Sequence, residues 1–244
     1  MSSTLIAHRG AKIISKEQLK MIPPPEGTST WKPVAHDKLL SVLENEVQSR
    51  GMTITKTQLA VQRDGTMFFG ILDLKSETDY GDYTSSLGIR AGNNRKMSIQ
   101  IAVGARVFVC DNLAFSGAMI ALKRKHTSKL SVEEEIKKAI ERYKHQFALY
   151  SESIEQQKTI KLTDSEARSI MFRAFEERDL PIKLFHNVIT NYFEPEHVEF
   201  KPRTLWSLNN AFTESVKSLP EGRKFFALAK VGKLLETARE NLLQ

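Results

Sequence analysis

The chain has one cysteine, Cys110, so no disulfide can form within it. A single thiol fits a reducing compartment. Placed after Val107-Phe108-Val109, Cys110 reads as a small buried hydrophobe. No apolar run approaches the roughly 20 residues of a membrane-spanning helix. The apolar segment in MSSTLIAHRGAK is too short for a signal peptide. A cytoplasmic protein with no membrane partner is expected. The six histidines, at 8, 36, 126, 145, 186 and 197, make no zinc-ligand spacing with one another or with Cys110. A phosphate-binding glycine loop, a dinucleotide fingerprint and a Gly-x-Ser-x-Gly elbow are also missing. The chain is therefore read as non-catalytic, without cofactor or metal. Asp111, Asn112 and His126 lie near one apolar region and read as turn and edge residues rather than as a triad.

What is present is a concentrated positive charge. The 244 residues carry 36 Lys and Arg against 29 Asp and Glu, a net of +7. Residues 88–129 hold eight of the cations and a single acid, Asp111, so this stretch alone carries the whole excess. The cations are Arg90, Arg95, Lys96, Arg106, Lys123, Arg124, Lys125 and Lys129. A local excess of one sign bears on partners rather than on fold, and it points to a polyanion.

Hydrophobic residues at 41% and charged residues at 27% are ordinary globular values. A chain this long sustains a core without covalent staples. Residues 1–35 read as an arm, with a capping box at Ser15-Lys16-Glu17-Gln18 and three prolines at 23–25 that hold the chain extended. Trp31 is placed to dock the arm on the body. Asp37 is expected to cap a helix to about Arg50, with Leu39, Leu40, Leu43 and Val47 on its apolar face and Gly51 as its stop.

Strand patterning follows. Residues 53–62 are rich in Thr, Ile and Val, and Asp64-Gly65 signals a two-residue hairpin loop. Residues 67–72 are apolar on both faces, as in a central strand. Tyr83, Leu87 and Ile89 alternate with polar residues, which puts Arg90 on the face opposite them. A turn is expected over 91–96, and period-two patterning resumes from Ile99 to Val109, read as a strand, with Gly104 as a potential break and a helix as the alternative for its first half. The apolar segment 115–122 runs into Lys123-Arg124-Lys125-His126, where alternation would set Lys123 and Lys125 on one side. At Ser131 the pattern turns helical. Ile136, Ile140, Tyr143, Phe147, Tyr150 and Ile154 form a narrow seam, suited to packing on the sheet or to self-association. Thr163-Asp164-Ser165-Glu166 is another capping box, Pro181 is expected to open a helix reaching Phe193, and two more helices follow the 194–203 loop. The expected fold class is α+β. A mainly antiparallel sheet domain spans about 36–126, and a helical C-terminal region packs on it. The divisions are an arm over 1–35, an α+β core with the basic segment over 36–130, and a helical region over 131–244.

Several phrases resemble the phage- and plasmid-encoded family known as domain of unknown function 932. They are AHRGA, TWKPVAHDKL at 30–39, RDGTMFFGILDL at 63–74, LGIR at 87–90, VGARVFVCDNLAFSG at 103–117, KRKHT at 123–127 and LWSLNNAFTE at 205–214. After LGIR, members carry an Asn-Ser-His-Asp-Lys-Ser type loop, where this chain has AGNNRKMS. The resemblance implies a mobile-element origin and no particular activity. The order of elements is also similar to that of single-strand annealing proteins of the Rad52 group, a likeness of architecture alone.

Two functions are expected from these features. The first is a nucleic-acid-binding protein, on single-stranded DNA by preference, in replication, recombination or annealing. Arg90, Arg95, Lys96, Lys123, Arg124 and Lys125 are its candidate contacts, and Tyr83, Phe108 and Phe115 are candidates for base stacking. The second is an interaction protein that a mobile element directs at a host or defence factor, presenting the same basic face to an acidic surface.

Overall fold

A computed structural model describes residues 11–62, 64–75, 81–107, 113–127 and 130–244; the side chains of 113–121, 221, 222 and 225 lie outside that description. Six strands follow one another in space as they do in sequence: β1 (Lys12–Ile13), β2 (Ile54–Gln62), β3 (Met67–Leu74), β4 (Tyr83–Gly92), β5 (Ile99–Val107) and β6 (Leu113–Arg124). Every neighbouring pair is antiparallel, and from β2 onward the connections are too short for a parallel crossover. The fold is thus the α+β arrangement expected.

The turns show where local chemistry decides. Asp64 and Gly65 both adopt left-handed φ, 55° and 85°. Gln62 pairs with Met67, so the connection between the two strands is longer than two residues. A Cβ on Gly65 would meet Ile22 Cγ2 at 2.8 Å, so the arm closes directly on this turn. The arm also contributes β1 and the helix α1 (Lys16–Lys20), whose Ser15 capping box forms as expected. β3 is buried along its whole length. β4 continues through Ala91 and Gly92, which pair with Phe68 and Met67, so the turn is 93–98 rather than 91–96. Around Gly104 the β5–β6 register shifts without ending the strand.

Helices cover both faces of the sheet. On one face lie α2 (His36–Ser49) and α3 (Val132–Thr159). Leu39, Leu43 and Val47 of α2 join Ile136, Ile140, Tyr143 and Phe147 of α3 in one core with Phe68, Leu72, Leu87 and Ile101. The seam of α3 is therefore buried within the subunit. Asp37 does not cap α2: the N-cap is Ala35, without a side-chain bond, and Asp37 lies in the first turn. There its charge still favours the positive end of the helix. Gly51 takes φ 74° just beyond the helix, as the stop requires.

The remaining helices are α4 (Asp164–Glu176), α5 (Phe185–Phe193), α6 (Leu205–Val216) and α7 (Glu221–Leu242). Pro181 leads into a 3-10 turn at Ile182–Leu184 before α5 begins. These helices form a second core that takes in Ala60, Ile71 and Ala102 from the opposite sheet face. α7 runs along β6. α3 reaches past the sheet and is tied to the helical body by polar contacts. Asn209 Nδ2 donates to Gln157 Oε1 at 3.1 Å, and Ser153 Oγ donates to Glu236 Oε2 at 2.7 Å.

The reciprocal cap of α4 gives a direct stability test. Thr163 Oγ1 accepts from Glu166 N at 3.2 Å, and Glu166 Oε2 accepts from Thr163 N at 2.8 Å. Thr163→Ala is expected to cost about 1 kcal/mol in urea unfolding, the usual effect of losing an N-cap. An unchanged midpoint would show that the cap adds nothing to the packed helix.

Candidate functional site

The meander brings the cationic residues of two sequence segments to one end of the sheet. Ile99 pairs with Arg124 and Gln100 with Lys123, so the start of β5 lies beside the end of β6. The turn before β5 carries Arg95 and Lys96; the end of β6 carries Lys123 and Arg124, followed by Lys125. All five are exposed. The turn is held firmly. Asn93 Nδ2 donates to the Val34 carbonyl at 2.9 Å, and Lys96 N donates to Asn94 Oδ1 at 3.0 Å. Arg95, at φ 61°, lays its guanidinium over the Trp31 ring at 4.9 Å. Trp31 thus docks the arm and orients one of the cations. β6 ends at Arg124, so strict alternation stops there: Lys125 is exposed and His126 is buried. Arg124 Nε lies 2.6 Å from Glu135 Oε2 of α3, which offsets part of its charge.

Arg90 does not belong to this exposed group. It faces away from Leu87 and Ile89, as alternation requires, but α7 covers that side. Arg90 is 1% exposed; its Nε donates to Gln100 Oε1 at 2.6 Å, and its guanidinium rests 3.8 Å from the Phe226 ring centre. Burial pushes its pKa down to about 10. Arg106 is buried on the same face. Its Nε stands 2.7 Å from Asp73 Oδ2, a close charge contact, and its Nη2 donates to Gln58 Oε1 at 2.7 Å. Ser86 Oγ donates to Asp73 Oδ1 at 2.7 Å. Of the eight cations behind the local excess, two are therefore structural, and Lys129 lies outside the described residues.

The aromatic candidates divide similarly. Tyr83 is 1% exposed and packs toward Trp206, so it is a core residue and not a stacking platform. Phe108, and the side chain of Phe115, lie outside the described residues. Among the described residues, no group of three or more His, Cys, Asp or Glu could hold a metal ion. Among them also, no helix is long and apolar enough to cross a membrane.

Two buried histidines, His36 and His126, lie behind the basic end. His36 Nε2 donates to the Gly65 carbonyl at 3.0 Å, and the ring stacks on Phe68 with centroids 5.3 Å apart. Burial holds His36 down at about 4, with nearby His126 opposing its protonation and Asp37 favouring it; burial also lowers His126. A histidine depressed when folded binds more protons when unfolded, so its stabilisation is full above pH 6.5 and is lost as pH falls toward about 4. The loss from His36 is expected to reach up to about 3 kcal/mol. His36→Gln, which can still donate to Gly65, should flatten the acid loss in urea unfolding between pH 7 and pH 4. A parallel fall in parent and variant would assign the loss to other groups.

The fold and this end together define an α+β protein, a meander sheet between two helical layers with a cationic strand edge. The chain belongs to the DUF932 family, described as a domain of unknown function, whose model matches residues 27–224. That span takes in strands β2 to β6 and the whole basic end. No curated protein and no solved structure matches the chain.

Proposed function

We propose that the chain binds single-stranded nucleic acid, DNA by preference, through the basic sheet end. The setting is the replication, recombination or annealing machinery of a phage or plasmid in the cytoplasm. The carrying observation is the convergence of Arg95, Lys96, Lys123 and Lys125, exposed on a turn and a neighbouring strand end. Long cationic side chains on such positions reach phosphates without strain, and phosphate neutralisation supplies the sequence-independent part of binding. The burial of Arg90 removes one contact from the set, and the Glu135 pairing weakens another. Four full contacts remain.

The test is a titration of nuclease-treated protein with a fluorescent single-stranded oligonucleotide at rising salt. Four contacts at about −0.7 each predict a log–log slope near −3. No binding at low salt would overturn the reading and favour an acidic protein surface as the partner of this edge. A duplex competitor that displaces the oligonucleotide at equal concentration would remove the preference for single strands.

A further inference from the structure

We propose that the cleft between α4 and α7 receives a base of the bound strand, with Phe226 as its stacking platform. This rests on the reading that the sheet end binds single-stranded nucleic acid, and it adds a second, base-contacting site. The cleft has a volume of about 610 Å³ and is lined by Phe175, Leu180, Ile182, Leu219 and Phe226. Three cations stand in its wall, Arg178, Arg223 and Lys230, against one acid, Asp179, which Lys230 holds at 2.8 Å. An apolar floor with an excess of positive charge suits a ligand that is flat and apolar at its centre and anionic at its rim.

Phe226 is 50% exposed, although the α7 side chains Leu228, Val231 and Leu235 are buried. Its ring is fixed from beneath by the Arg90 guanidinium, 3.8 Å away. That contact is a cation–π pair, and it leaves half of the side chain open to solvent. The ring is also continuous with the basic end. Arg90 Nε bonds Gln100 Oε1, and Gln100 pairs across the sheet with Lys123. Lys123, Gln100 and Arg90 are thus neighbours across the sheet and Phe226 lies over Arg90, so the ring stands close to Lys123, with Gln100 and Arg90 themselves covered between them. A strand whose phosphates follow the cations would bring a base to this ring, whereas an acidic peptide would use the same cations but not the flat platform. Stacking on one aromatic ring is sequence-tolerant, because every base has an apolar face.

The experiment compares a fluorescent oligothymidine with an abasic strand of equal length, on the parent and on variants at Phe226. The parent should prefer oligothymidine. Phe226→Ala should weaken oligothymidine binding by about 5- to 100-fold and leave the abasic strand almost unchanged. Phe226→Leu keeps apolar packing on Arg90 and removes the platform, so it should lose the same preference even if alanine disturbs folding. Phe226→Trp should keep the preference, and its new indole should be quenched by oligothymidine. An unchanged ratio of the two affinities in both Phe226→Ala and Phe226→Leu would overturn the inference. Salt-dependent binding of the abasic strand would still uphold the sheet end in that case. Binding of neither strand by the parent would overturn both.

Discussion

Asp73→Ala is expected to destabilise the protein by about 3–5 kcal/mol, the range for stranding one member of a buried ion pair. Asp73 and Arg106 are 3% and 4% exposed, so neither charge has much access to water. The carboxylate faces Arg106 Nε at 2.7 Å through one oxygen and accepts Ser86 Oγ at 2.7 Å through the other. Alanine removes both partners and leaves a guanidinium in a low-dielectric layer, bonded there to Gln58. The cost then comes from the uncompensated charge more than from the lost bond. Replacing both Asp73 and Arg106 by leucine should recover much of the loss, because a well-packed apolar pair often matches a buried ion pair. Urea unfolding of the parent and of these two variants measures this. A single variant within about 1 kcal/mol of the parent would mean that water reaches the pair.

Neutralising the basic end is expected to affect binding and leave folding nearly unchanged. Arg95, Lys96, Lys123 and Lys125 are exposed, and changing all four to glutamine keeps chain length and removes four charges. Surface changes of this kind stay within about ±0.5 kcal/mol each in stability. A salt slope near −3, run from 1 M to 0.1 M, corresponds to an electrostatic gain on the order of several hundred-fold. Losing most of it should weaken oligonucleotide binding by at least about 100-fold at 0.1 M salt. Arg124→Gln alone should have a smaller effect than Lys123→Gln, because Glu135 already pairs with Arg124 at 2.6 Å. Equal losses from the two single variants would show that this ion pair opens on binding.

Much of the frame was legible because it is local. The capping boxes at Ser15 and Thr163, the left-handed pair Asp64-Gly65 and the α3 seam each depend on residues within a turn or two of one another. The period-two run in β5 likewise announced a strand. Arg90 shows the limit. Alternation placed it correctly on the face away from Leu87 and Ile89, but the helix that covers that face begins at Glu221. Asp73 and Arg106 lie 33 positions apart in sequence. They meet because Asp73 pairs with Ser86 and Arg106 with Thr84, a consequence of strand register that charge counting cannot see. The cleft was invisible for a similar reason: Phe175, Ile182 and Phe226 come from separate helices and turns, and no short motif joins them. Asp37 failed as a cap because α2 starts two residues earlier than the sequence pattern suggests. The convergence of Arg95 and Lys96 with Lys123 and Lys125 was only partly legible. Their shared charge was evident, and their shared sheet end required the β5–β6 pairing.

The central claim is that the sheet end, and not the overall positive charge, binds the strand. The most direct measurement compares salt slopes on one oligothymidine for three proteins: the parent, the Arg95, Lys96, Lys123 and Lys125 glutamine variant, and a control with glutamine at Lys56, Lys144, Lys201 and Lys233. The four control lysines are exposed and belong to other parts of the fold, so both variants lose the same charge. The account predicts a slope near −3 for the parent and the control, and a slope of about −0.7 or shallower for the sheet-end variant, which keeps only Arg124 at this end. Equal flattening in the two variants would reduce the effect to net charge and contradict the assignment of the site.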